Sequence, residues 1–131
     1  MRRPQSVLVV DDEPLLLGVV ARALASEGYK VVTAPDAERA LELLTRRGGE
    51  FSMLLSDVGL PGLSGAELVR RARAIEPALP ALLMSADSKE ALVRRGVLSA
   101  DTELLSKPFA VPTLLAKVEQ LLEPTSHTFQ G

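Results

Sequence analysis

A single acid, Asp57, separates an apolar run that begins at Phe51 from a loop rich in glycine and proline that extends to Gly65. An apolar run closed by turn residues is typical of a buried strand. In open α/β sheets, ligand chemistry collects just beyond the carboxyl ends of the strands, so Asp57 stands where a reactive carboxylate is expected. The alternative interpretation of such an Asp is a residue that only stabilises the turn.

Four other short stretches predict strands over residues 6–10, 30–34, 81–84 and 103–106. A helical pattern follows each of the five predicted strands, and such alternation predicts a parallel α/β sheet with helices on both faces. No repeat or change of composition divides the chain. We therefore expect one domain over residues 6–122, an N-terminal tail over 1–5 and a flexible C-terminal tail over 123–131.

Capping residues predict where the helices begin. The predicted helix starts are Pro14, Asp36, Ser64 with Glu67 as a capping box, Asp87 with Glu90 as a second capping box, and Pro112. The apolar positions expected at helical spacing are Leu15, Val19, Val20, Ala23 and Leu24 in the first helix, and Leu68, Val69, Ala72 and Ile75 in the third.

Composition limits the function classes. The 131 residues are 47% hydrophobic with a net charge of -2, which favours a globular core and gives no basic surface for nucleic acid. There is no cysteine, so disulfides, thiolate metal sites and a cysteine nucleophile are excluded. No apolar run approaches the roughly 20 residues of a membrane span, and the N-terminus does not match a signal peptide. A cytoplasmic protein without membrane contact is expected.

Polar residues follow four of the predicted strands: Asp11 and Asp12, then Asp57, Ser85 and Lys107. In a parallel sheet these ends meet at one edge. Three close carboxylates favour a hard divalent cation, for which Mg²⁺ is the natural choice. Together with Lys107, a cation would give Asp57 the positive surroundings that a carboxylate needs to attack phosphorus. The pattern predicts Asp57 as the nucleophile and Ser85 as a hydrogen-bond donor to a phosphoryl oxygen.

Four short motifs follow one another along the chain. Residues 7–14 match V-L-x-V-D-D-E-P, and the loop after Asp57 matches D-x-x-(M/L)-P-G-x-S-G. Residues 84–86 match an (S/T)-A step, and residues 107–109 match K-P-F. Together these motifs resemble the receiver domain of response regulators in two-component signalling. The resemblance extends over about residues 6–122. It implies a flavodoxin-like, doubly wound, five-stranded sheet of strand order 2-1-3-4-5.

The resemblance also implies roles for the site residues. Asp57 would accept a phosphoryl group from a phosphohistidine on a histidine kinase or a histidine phosphotransfer protein. Mg²⁺ would be bound by Asp12, Asp57 and the carbonyl of Gly59, with Asp11 acting through water. Ser85 and Lys107 would hold the phosphoryl oxygens, with a cis peptide bond after Lys107. Such a domain catalyses only its own phosphorylation and dephosphorylation.

Three positions depart from the family pattern: Leu104, Gly59, and Ser85, which is less common there than Thr but keeps the hydrogen-bond donor. Leu104 stands where a Tyr or Phe usually couples phosphorylation to output. Gly59 has no side chain to shield an acyl phosphate, and Asp87 is an acid placed to orient a water, so we expect a short-lived phosphoryl group. The sequence leaves open a stand-alone receiver or the receiver of a hybrid sensor kinase, and also a weak homodimer through the face that carries Arg94, Arg95, Lys117 and Glu119.

Two other functions compete with this one. A phosphatase of the haloacid-dehalogenase type also uses an Asp nucleophile with Mg²⁺, but it needs a second Asp where Gly59 stands. A degenerate receiver that only binds partners usually lacks the acid pair, the acceptor or the lysine. No G-x-G-x-x-G or phosphate-binding loop motif occurs, which argues against nucleotide binding. His127 lies in the polar tail, where a phosphodonor is not expected.

Overall fold

The computed structural model describes residues 5–122, which form a five-stranded parallel sheet between two layers of helices. The strands are β1 Ser6–Val10, β2 Lys30–Ala34, β3 Met53–Asp57, β4 Ala81–Ser85 and β5 Leu104–Ser106. The helices are α1 Pro14–Ser26, α2 Ala37–Arg46, α3 Gly65–Ile75, α4 Lys89–Arg94 and α5 Val111–Leu122, with a short 3-10 helix at Gly48–Glu50. The strand order β2-β1-β3-β4-β5 confirms the predicted fold.

The domain bounds predicted from the sequence stay a prediction. The predicted C-terminal tail, residues 123–131, lies outside the described residues, and so does His127 within it. Of the predicted N-terminal tail, residues 1–4 lie outside them as well. Within 5–122, no helix is long and apolar enough to cross a membrane.

The central strands are buried on both faces, which explains their continuous apolar sequences. Alternate residues of β1 and β3 point to opposite sides of the sheet. Leu8 and Leu54 pack against α2 and α3 on one side. Val9 and Leu55 pack against α1 and α5 on the other. This two-sided packing fixes the strands rigidly and leaves their carboxyl ends free to carry the polar residues.

Side-chain caps define two helix starts near the polar edge. Ser64 accepts a hydrogen bond from the Glu67 N–H at 3.2 Å, which confirms Ser64 as the N-cap of α3. The reciprocal half of the predicted capping box is not formed among residues 5–122, because the Glu67 carboxylate accepts from Arg70 and Arg71. The cap predicted at Asp87 is wrong, because Ser88 is the N-cap of α4 and accepts from the Ala91 N–H at 3.1 Å. The Asp87 carboxylate accepts a hydrogen bond from the Arg95 side chain instead.

Some apolar residues face solvent rather than the core. Leu15 and Val19 of α1 are 85% and 50% exposed, so two of the five apolar positions predicted at helical spacing face solvent. Leu16 and Leu17 pack against the core instead, because three consecutive leucines allow more than one helical face. Ile75 at the end of α3 is also exposed. The third strand begins at Met53, two residues after the buried Phe51.

A third small cluster lies beneath α4. Leu104 of β5 packs there against Val58, Leu83, Leu92 and Leu98. The position that usually holds an aromatic ring therefore holds an aliphatic residue directed into this cluster. Because Val58 follows Asp57, the cluster connects the polar edge of the sheet with α4 by side-chain packing.

Candidate functional site

Three carboxylates meet at the carboxyl edge of the sheet. Asp11 and Asp12 follow β1 and Asp57 ends β3, and these two strands are paired in register at Val10 and Ser56. One oxygen from each of the three acids lies within 4.8 Å of the others. The convergence predicted from the parallel order is therefore present. Asp11 is buried, Asp57 is partly buried and Asp12 is exposed.

Asp11 is the most constrained of these acids. Its Oδ1 accepts a hydrogen bond from the Glu13 N–H at 2.9 Å, while its buried Oδ2 has no hydrogen-bond partner. Burial raises the pKa of Asp11, and the nearby charges of Asp57 and Asp12 raise it further, against the lowering effects of the Glu13 N–H and of Lys107.

A buried carboxylate oxygen without a hydrogen bond is energetically costly even with the Lys107 ammonium 3.6 Å away, and a cation bound beside it would lower that cost. Two further carboxylates lie within reach of the same point. A donor set made only of carboxylate oxygens suits Mg²⁺ or a similar hard ion. The residues at this edge therefore fit a divalent cation.

Lys107 lies beside two of the three acids. Its Nζ lies 3.2 Å from Asp57 Oδ1 and 3.6 Å from Asp11 Oδ2. Its backbone N–H donates to the Ser85 carbonyl at 2.8 Å, and the Lys107–Pro108 peptide bond is cis, as the resemblance implies. The lysine side chain is only 20% exposed, so its charge acts in surroundings that are poorer in water than the surface.

Ser85 lies at the same edge, where its side chain is hydrogen-bonded to the backbone rather than to the acids. It is buried, and its Oγ accepts a hydrogen bond from the Asp87 N–H at 2.9 Å. No hydrogen bond joins its hydroxyl to Asp57 or Lys107 within residues 5–122. Because that oxygen is already an acceptor, its own O–H remains able to donate to an incoming group.

The loop after Asp57 folds back against the strand end. The Gly65 N–H donates to the Val58 carbonyl at 2.9 Å. A side chain at Gly65 would collide with the backbone carbonyl of Asp57, so only glycine fits there. Gly59 is exposed, and a Cβ added to it would meet no atom within 4 Å. Sequence reasoning missed the packing role of Gly65, although its place directly after the Ser64 cap was a signal.

A family model described as the response regulator receiver domain matches residues 7–119, and the chain belongs to this family. It is 35% identical over 128 residues to the probable transcriptional regulatory protein TcrX of Mycobacterium tuberculosis, with 96% of this chain and 53% of the relative covered. It is 34% identical over 118 residues to the sensor kinase CckA of Brucella abortus, with 90% of this chain and 12% of the relative covered.

The chain thus spans about half the length of the first relative and far less of the second. Solved structures are covered more completely. The chemotaxis protein CheY4 of Vibrio cholerae superimposes with a TM-score of 0.81 at 30% identity, covering 92% of this chain and all of that one. The receiver domain of the hybrid histidine kinase CckA gives a TM-score of 0.76 at 31% identity, covering 90% and 99%. The chain is therefore a receiver domain of two-component signalling.

Proposed function

We propose that Asp57 accepts a phosphoryl group from a phosphohistidine in the presence of Mg²⁺, and that this switches the interactions of the domain with its partners. One observation carries the proposal: the Lys107 ammonium lies 3.2 Å from the Asp57 carboxylate, beside the acid pair Asp11 and Asp12. This arrangement gathers a nucleophile, a cation site and a fixed positive charge at one point.

The side chains divide the work of the transfer. An Asp57 oxygen attacks phosphorus, and the bond from phosphorus to the histidine nitrogen breaks with its electron pair left on the imidazole. Lys107 donates to one phosphoryl oxygen and the Ser85 O–H to another. Asp12, Asp57 and the Gly59 carbonyl would hold Mg²⁺ directly and Asp11 through water. When bound, the ion supplies positive charge that neutralises the phosphoryl oxygens.

The partner belongs to the same proposal. A phosphohistidine is carried by a histidine kinase or a histidine phosphotransfer protein, and the relatives include both a kinase and a regulator. We propose that the domain catalyses only its own phosphorylation and dephosphorylation. A stand-alone or hybrid-kinase origin, a weak homodimer, a cytoplasmic location and the lack of nucleic-acid binding stay predictions.

Intact mass spectrometry tests the proposal. The protein is incubated with acetyl phosphate and Mg²⁺, beside Asp57→Asn, a metal-free sample and Asp101→Asn as a matched control at an exposed acid outside the site. We expect a gain of one phosphoryl group that needs the metal, persists in Asp101→Asn and is lost in Asp57→Asn. If folded wild-type protein gains nothing, the binding-only alternative replaces this proposal. A gain that survives Asp57→Asn would place the acceptor elsewhere.

A further inference from the structure

An ion pair joins the loop between β4 and α4 to the residue that follows α4. Asp87 Oδ2 lies 3.0 Å from Arg95 Nη2, with the two side chains 60% and 57% exposed. Asp87 precedes α4 and Arg95 directly follows its last residue. Lys107 forms two ion pairs, with Asp11 and Asp57. The remaining ion pairs within residues 5–122 join residues that are three or four positions apart. The Asp87–Arg95 pair spans eight and holds a loop against the end of a helix.

The backbone of Asp87 is fixed next to the site. Its N–H donates to the Ser85 hydroxyl oxygen at 2.9 Å, and the next residue, Ser88, is held as the cap of α4. With the backbone anchored on both sides, the two side-chain torsions of Asp87 decide where its carboxylate lies. In this structure the carboxylate is paired with Arg95, and it is not among the three acids whose oxygens lie together at the site.

We propose that Arg95 is a positioning residue that holds the Asp87 carboxylate out of the phosphoryl site and thereby lengthens the lifetime of the phosphoryl group on Asp57. The proposal rests on the proposed function of Asp57. Arg95 itself touches no reacting atom. Its effect passes through Asp87, whose anchored backbone keeps the carboxylate within one side chain's length of the Ser85 hydroxyl.

The step that Arg95 restrains is hydrolysis of the acyl phosphate. A water oxygen bonds to phosphorus, and the bond from phosphorus to the Asp57 oxygen breaks with its electron pair left on the Asp57 carboxylate. One water proton passes to the Asp87 carboxylate as general base and then to solvent. The products are free Asp57 and inorganic phosphate. A carboxylate paired with Arg95 is not free to accept this proton.

The expected effect is modest because the pair is exposed. Exposed ion pairs contribute little, so loss of this one should raise the population of free Asp87 about two- to five-fold. Dephosphorylation should accelerate by the same factor. High salt should move the wild type in the same direction, because it screens an exposed pair.

Four variants test the proposal: Arg95→Gln, Asp87→Asn, the double variant, and Arg94→Gln as a matched control. Arg94 is the neighbouring exposed arginine and forms no ion pair in the part of the chain that the structure describes. Each protein is phosphorylated with acetyl phosphate and Mg²⁺, the donor is removed, and loss of the phosphoryl group is followed by intact mass. We expect faster loss in Arg95→Gln, an unchanged rate in Arg94→Gln, and equal rates in Asp87→Asn and the double variant.

Two results would overturn the proposal. One is an unchanged lifetime in Arg95→Gln. The other is acceleration by Arg95→Gln that persists when Asp87 is already Asn, since Arg95 would then act without Asp87. If the proposed function itself is wrong, the wild-type protein would gain no phosphoryl group before any decay is measured. That result is distinct from an unchanged lifetime in Arg95→Gln.

Discussion

The ammonium of Lys107 lies 3.2 Å from a carboxylate oxygen of Asp57, fifty residues earlier in the chain. We expect Lys107→Gln to slow phosphorylation by acetyl phosphate about 100-fold, because one preorganised donor to the phosphoryl oxygens is lost. Binding of Mg²⁺, measured by calorimetry, should persist because the three acids remain. Lys117→Gln in α5 is the matched control. An unchanged initial rate in Lys107→Gln would show that the lysine is only a structural counter-charge.

Asp11 gives a prediction about stability. Because burial raises its pKa, the folded state binds the proton more tightly than the unfolded state does. Ionised Asp11 therefore destabilises the metal-free fold above the ordinary aspartate pKa of 3.8, and this cost disappears at lower pH, where both states are protonated. Asp11→Asn should raise the melting temperature by about 3 °C at neutral pH without Mg²⁺.

Thermal unfolding followed by circular dichroism, across a range of pH with and without Mg²⁺, measures this difference. The gain in Asp11→Asn should shrink as the pH approaches 3.8. Added Mg²⁺ should stabilise the wild type more than the variant, because ligand binding to the folded state raises its stability. Asp101→Asn should show no gain, since a hydrogen bond from Ser99 lowers the pKa of Asp101. A less stable Asp11→Asn protein without metal would contradict the argument.

Gly65 and Gly18 form a matched pair of glycines at helical positions. Gly65→Ala should lower the free energy of unfolding by about 1–3 kcal/mol, because the new methyl group collides with the Asp57 backbone. Gly18→Ala should raise it by about 0.5–1 kcal/mol, because its added methyl group meets no atom within 4 Å and alanine favours the helix. Urea unfolding measures both. Equal effects of the two substitutions would refute the collision.

Gly59 gives a prediction about lifetime. A side chain there meets no atom within 4 Å, and the backbone conformation needs no glycine. Gly59→Asn should therefore leave stability nearly unchanged, while the new side chain shields the acyl phosphate and slows its loss. Gly49→Asn, at an equally open position in the 3-10 helix, is the control. Identical decay of the phosphoryl group in all three proteins would remove the shielding argument.

The fold was predictable because its signals are local. Residues 6–10 and 30–34 are short stretches rich in valine with clear ends, and both strands were predicted with the bounds that they have. The N-cap at Ser64 was predicted because the Ser64 side chain accepts a hydrogen bond from the N–H of Glu67, only three residues later. The cap at Asp87 failed for the opposite reason. Its carboxylate is held by Arg95, a partner across a helix that no local pattern reveals.

For the site, the sequence predicted which residues lie together but not how their side chains are arranged. The rule that parallel strands end at one edge brought Asp11, Asp12, Asp57, Ser85 and Lys107 together. It did not tell which acid of the pair is buried, because consecutive residues point to different sides and the sequence gives both the same chemistry. Nor did it reveal that one Asp11 oxygen lacks a hydrogen bond, or that the Ser85 hydroxyl accepts from the Asp87 N–H, because both depend on side-chain torsions.

The backbone hydrogen bond from Lys107 to Ser85 has a consequence for protein synthesis. The acids of the site leave the ribosome early, whereas the lysine and the strand that positions it come close to the end of the domain. A nascent chain that stops before β5 carries the carboxylates without their counter-charge. Because domains fold as units, we expect the growing chain to be unable to accept a phosphoryl group until β5 joins the edge of the sheet. An incompletely synthesised receiver would then not react with its phosphodonor.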